Sequence, residues 1–133
     1  MLRDSKEMTE EILRLVQICD YDNAKQLIEA YLKNDKDNSE ILDLYAEVLV
    51  NLDLPNEARL ALQRSIQLSP ESSGDKYMSL AEISDYKQAV KLYQKGIDVY
   101  KKQLEQDNSS DIRTSIANGF AALAELYMNT SLW

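Results

Sequence analysis

Residues 39 to 70 read SEILDLYAEVLVNLDLPNEARLALQRSIQLSP, two amphipathic helices with a short turn between them. Leu42, Tyr45, Ala46 and Leu49 fall on one face at helical spacing, and Ala58, Leu62 and Ile66 do the same after Pro55. Ser39 is placed to cap the first helix, Pro55 opens the second where its missing N–H costs nothing, and Pro70 forbids continuation. Ala58 begins an Ala-x-x-x-apolar pair with Leu62, and Ala24 begins another with Ile28 at a distance of 34 residues. A two-helix unit recurring at that period cannot bury its apolar face alone, so it must stack on its neighbours.

Upstream, residues 5 to 19 carry Met8, Ile12, Leu15, Val16 and Cys19 at helical spacing, with Ser5 as the expected N-cap and Cys19 expected inside the helix. A turn over residues 20 to 23 leads into a second helix with Ala24, Leu27, Ile28, Tyr31 and Leu32 on one side, and the polar run 34 to 38 breaks it. Downstream of the loop at Gly74, a helix is expected from Asp75 to Ser84 and a long one from Tyr86 to about Gln106, with Gly96 tolerated inside it. Ala46 precedes Ala58 by 12 positions whereas Ala81 precedes Ala89 by eight, and the four missing residues remove about one turn and keep the facing direction. A last helix from about Asp111 places Ile112, Ile116, Phe120, Leu123, Ala124 and Tyr127 on its apolar side.

The 34-residue period, the helix-ending Pro70 and the Leu123-Ala124-x-x-Tyr127 string are similar to the tetratricopeptide repeat. That resemblance implies an all-α tetratricopeptide-repeat right-handed solenoid of about seven helices, three pairs plus one terminal helix. The repeats are bounded at residues 5 to 36, 39 to 70 and 75 to 106, with a half repeat at 111 to 128, in one domain of residues 1 to 133. A helix packed on one side only leaves Phe120, Tyr127, Leu132 and Trp133 partly bare, and its outer face lacks the charges of a polar cap, so the domain is read as truncated at its C-terminus.

The chain has 133 residues, 44% hydrophobic and 29% charged, with three Gly and two Pro, the composition of a helical globular domain. It has no histidine and the single cysteine Cys19, which removes disulfide frameworks, Cys/His metal sites and histidine acid-base chemistry together. No Gly-rich phosphate loop is present and no serine has a base to activate it, so no enzyme activity, cofactor or metal is expected. A net charge of -8 disfavours direct contact with nucleic acid and favours a basic protein partner. No apolar run near Met1 is long enough for a signal peptide or membrane span, and a lone thiol suits a reducing compartment, so cytoplasm or nucleus is expected.

Residues 37 to 85 hold ten Asp or Glu against Arg59, Arg64 and Lys76, a local balance of -7. If the first helix of each pair lines a concave surface, as in stacked repeats, that surface offers Glu40, Asp43 and Glu47, then Asp75, Tyr77, Glu82 and Asp85, and finally Glu125. These eight residues are the expected partner-binding set, since like charges on one wall repel each other and a cationic ligand relieves the repulsion while gaining association rate. Lys87, Lys91, Lys95 and Lys102 follow the spacing of a solvated outer stripe on the long helix.

Tetratricopeptide proteins that grip the acidic C-termini of heat-shock chaperones use a clamp of Lys, Asn and Arg, whereas the matching positions here are Thr9, Leu13, Asp43, Leu44 and Glu47, so that clamp is absent. The strings Lys76-Tyr77-Met78-Ser79-Leu80-Ala81, Ala89 to Ile97, Ile112 to Asn118 and Ala124-Glu125-Leu126-Tyr127-Met128 resemble the fungal assembly chaperone dedicated to one large-subunit ribosomal protein, the one with a long basic internal loop. The resemblance implies shielding of a basic, newly made ribosomal protein and its escort to the nucleus and the pre-ribosome. The alternative is a scaffold or adaptor subunit that assembles through the apolar surface of Phe120, Leu132 and Trp133.

Overall fold

The computed structural model describes residues 4–131. Seven α-helices and no strand occur among them: α1 (Ser5–Gln17), α2 (Tyr21–Asn34), α3 (Ser39–Asn51), α4 (Pro55–Leu68), α5 (Asp75–Glu82), α6 (Tyr86–Gln106) and α7 (Ser110–Ser131). They fall into two compact units, residues 1 to 69 and 70 to 133.

In the first unit Met8, Ile12 and Leu15 of α1 pack with Ala24, Ile28 and Tyr31 of α2 and with Ile41 and Val48 of α3. Leu42, Ala46 and Leu49 of α3 and Ala58, Ala61 and Leu62 of α4 are also buried, which accounts for the tight pairing of these two helices. Each buried Leu or Ile contributes roughly 1.5–3 kcal/mol, and no single side chain carries the fold. The caps stand one residue ahead of their expected places. Asp4 rather than Ser5 accepts from the Lys6 N–H, at 3.3 Å, and Asn38 rather than Ser39 accepts from the Ile41 N–H, at 3.1 Å. Each pair of neighbours contains two good capping residues, and the helix starts after the one whose backbone is extended.

The turns between the paired helices repeat in atomic detail. Cys19 has φ 59° and Asp53 φ 60°, 34 residues apart. The Asp20 N–H donates to the Leu15 carbonyl at 2.9 Å, and the Leu54 N–H donates to the Leu49 carbonyl at 2.8 Å, the six-to-one bond that closes a helix on a left-handed residue. The expectation of a core thiol is corrected here: α1 stops at Gln17, and Cys19 is exposed in the turn. Apolar spacing continues through position 19, but the left-handed backbone turns the side chain outward. The α5–α6 turn lacks such a residue and closes on bonds from the Ile83 N–H to Leu80 and from the Ser84 N–H to Ala81, both at 3.2 Å.

In the second unit α6 packs on both α5 and α7. All three glycines of the chain line these crossings. A Cβ on Gly74 would stand 2.7 Å from the Gly96 carbonyl oxygen and from the Tyr100 ring, one on Gly96 would stand 2.9 Å from Tyr77 Cβ, and one on Gly119 would stand 3.0 Å from Ile97. The expected face of α7 is rotated: Gly119 and Leu123 are buried, whereas Phe120, Ala124 and Tyr127 are exposed. The helix turns its glycine to α6 because backbone can approach Ile97 more closely there than a phenyl ring could.

Candidate protein-binding surface

The predicted carboxylates divide by what holds them. On α3, Glu40 and Glu47 are exposed and make no ion pair among the described residues. Asp43 between them is half-buried and accepts from the hydroxyl of Ser65 on α4 at 2.6 Å. Ser65 is fully buried, and its hydroxyl also reaches the Ser39 carbonyl at 3.3 Å. The donor beneath Asp43 thus comes from the small residue that lets α4 approach α3. The field of Glu47 reaches the Tyr21 phenol and helps raise its pKa, behind the hydrogen bond to Cys19 and partial desolvation.

In the second unit Glu82 and Glu125 are exposed and free of ion pairs among the described residues. Both carboxylates raise the pKa of Tyr93, after the larger effect of its burial, so α5 and α7 bring them to the same phenol. Asp75 accepts a hydrogen bond from the Tyr100 hydroxyl, and Asp85 caps α6 by accepting from the Gln88 N–H at 3.0 Å. Both keep a structural partner. Tyr77 is corrected: it is 4% exposed and its hydroxyl donates to the Pro70 carbonyl at 2.7 Å, so it is a core residue and no contact surface. Its helix has only eight residues and buries Lys76, Tyr77, Leu80 and Ala81 on adjoining sides, which leaves too little periodicity to reveal the packed face.

The cations of the acid-rich span do not neutralise the surface carboxylates. Arg64 pairs with Asp37 at 2.6 Å, Arg59 hydrogen-bonds Asn56, and Lys76 is 2% exposed. Lys95 and Lys102 of α6 converge on Glu71 at 3.3 and 3.4 Å, and these ammonium groups lower the Glu71 pKa. A shallow depression of about 420 Å³ lies between α1 and α2, lined by Glu11, Arg14, Asp20 and Leu27 among others, and holds none of the predicted residues. Among the described residues no group of three acidic or thiol side chains has the geometry of a metal site, and no helix is long and apolar enough to cross a membrane.

Burial raises the pKa of Tyr77, Tyr93 and Tyr100, and Asp75 raises that of Tyr100 further. A phenol whose folded pKa lies above its unfolded value stabilises the fold fully below about pH 10, and that contribution is lost as pH rises through the folded pKa. The expected result is a urea midpoint that falls above about pH 10, with a smaller alkaline loss in Tyr100→Phe. Unfolding followed by circular dichroism at fixed salt checks it.

No protein-family model matches the sequence. The chain is similar to the "probable assembly chaperone of rpl4" of Schizosaccharomyces pombe, with 30% identity over 102 residues, 72% of this chain and 30% of that protein. It therefore spans less than a third of the length of that relative. The solved assembly chaperone of RpL4 (Acl4, residues 1–338) superposes with a TM-score of 0.58 at 18% identity, covering 93% of this chain and 52% of that one. The Sgt2 TPR domain of Aspergillus fumigatus superposes with a TM-score of 0.70 at 18% identity, covering 93% and 82%. The paired helices, the repeated turn and these likenesses establish the all-α tetratricopeptide-repeat fold.

Proposed function

We propose that this tetratricopeptide-repeat protein, similar to the rpl4 assembly chaperone, binds a basic, newly made large-subunit ribosomal protein and escorts it through cytoplasm and nucleus to the pre-ribosome. The observation that carries the proposal is the set of four exposed carboxylates, Glu40, Glu47, Glu82 and Glu125, which make no ion pair among the described residues although the chain contains 15 Lys and Arg. Unpaired anions on first helices create the field that a Lys/Arg-rich client relieves, and ribosomal RNA would displace the chaperone by offering the client phosphate instead. Binding of this kind needs no nucleotide and no catalysis.

The test is capture of rpl4 or its basic extension across a salt series. Affinity is expected to fall by at least about tenfold between low and high ionic strength, and a flat salt response would remove the electrostatic basis of the proposal.

A second reading is favoured by one observation: on α7, Phe120 is 48%, Tyr127 44% and Met128 67% exposed. An adaptor that assembles through this apolar face would bind its partner in a salt-tolerant way. Leu132 and Trp133, the other residues of that reading, lie outside the described residues.

A further inference from the structure

One dipeptide recurs on the first helices: Ala46-Glu47 in α3, Ala81-Glu82 in α5 and Ala124-Glu125 in α7. On the second helices, the apolar member of the Ala-x-x-x-apolar pair is Ile28 in α2, Leu62 in α4 and Tyr93 in α6. Ile28 and Leu62 are 0% and 2% exposed, so packing at this position needs no hydroxyl. Tyr93 supplies one. Its ring packs with Ala81 of α5, Ala89 of its own helix and Leu123 of α7, with Ala122 and Leu126 against the same cluster. Glu82 directly follows Ala81, and Glu125 directly precedes Leu126.

Tyr93 is 9% exposed, and among the described residues its hydroxyl has no hydrogen-bond partner. It is not sealed from solvent, since no fully buried side-chain oxygen among these residues lacks a partner. A phenol with no role in packing therefore opens toward two exposed carboxylates on the helices that flank it.

We propose that Glu82, Tyr93 and Glu125 form a subsite for one cationic side chain of the client, a Lys ammonium or an Arg guanidinium. An ammonium carries three N–H donors, which matches one acceptor oxygen from each carboxylate and one from the phenol. The subsite rests on the basic-client proposal and assigns it a point of contact in the second unit. Neither aliphatic equivalent of Tyr93 could accept a hydrogen bond, so the first unit has only carboxylates to offer at the corresponding place.

The experiment uses the full chain, labelled with ¹³C-tyrosine, and a fluorescein-labelled peptide of alternating Lys and Gly at low ionic strength. Binding should weaken by about three- to tenfold in each of Glu82→Gln, Glu125→Gln and Tyr93→Phe, with the double variants losing less than the product. The Tyr93 ring resonance, assigned by its absence in Tyr93→Phe, should move on peptide addition and stay in place when sodium chloride is added to the same ionic strength. If the wild-type chain binds the peptide and this resonance does not move, the subsite is overturned and the client proposal stands. If the wild-type chain fails to bind the peptide, both fall.

Discussion

Glu40→Lys and Glu47→Lys combined with Asp43→Asn are expected to cut the affinity for a basic client by about a hundredfold at low ionic strength, most of it in association rate. The substitutions exchange the negative field of α3 for a positive one at exposed positions, where they disturb no packing. Asp43 requires Asn rather than Lys. The buried Ser65 hydroxyl donates to it at 2.6 Å, and a cation there would leave that donor without its acceptor, at about 1–3 kcal/mol. Asn preserves the bond and removes the charge, so a loss of binding can be separated from a loss of fold. Fluorescence anisotropy against rpl4 or its basic extension measures the first, and a thermal melt measures the second. Undiminished capture by a folded variant would remove α3 from the binding surface.

The largest effect on stability is expected from Gly74→Ala, a loss of about 2–3 kcal/mol, visible as a lower urea midpoint. Gly74 has φ -72° and ψ -21°, a conformation that alanine adopts readily, so the whole effect is steric. The new methyl would meet a backbone oxygen, that of Gly96, and the Tyr100 ring, neither of which can rotate away. Gly96→Ala should destabilise less. Its methyl meets Tyr77 Cβ, but the nearer Met78 Cε is the end of a flexible side chain, and alanine regains roughly 1 kcal/mol of helix propensity. If Gly74→Ala unfolded at the wild-type midpoint, the close approach of α5 to α6 would be refuted.

The helices were legible because their signals are local and redundant. Pro55, the polar run before Ser39 and the Ala-x-x-x-apolar pairs each report the same boundaries, and the structure starts α4 at Pro55 and α6 at Tyr86 as the spacing predicts. The errors arise where two residues satisfy the same local rule. Asp4 and Ser5 can each cap, as can Asn38 and Ser39, and only the backbone decides. Cys19 fits the helical period and also the turn that ends it. On α7 the glycine that packs has no hydrophobicity for a periodic pattern to detect, so Phe120 was assigned to the face that Gly119 occupies. The site was legible as a list of acids and not as groups. That Ser65 lies beneath Asp43, that Tyr100 holds Asp75 and that Glu82 and Glu125 share a phenol are contacts across 22 to 43 positions of the chain, which spacing within one helix cannot reveal.

Cys19 and Asp53 make interchangeable joints. The dihedral angles and the closing hydrogen bonds agree so closely that a splice from one joint to the other would remove or add 34 residues without asking the backbone for a new conformation at the seam. Recombination at such a point changes the number of hairpins in whole steps, and the helix entering the seam still meets an Ala-x-x-x-apolar partner on the far side. The shorter joint between α5 and α6 has no such equivalent, so modular growth of this chain is confined to its first unit.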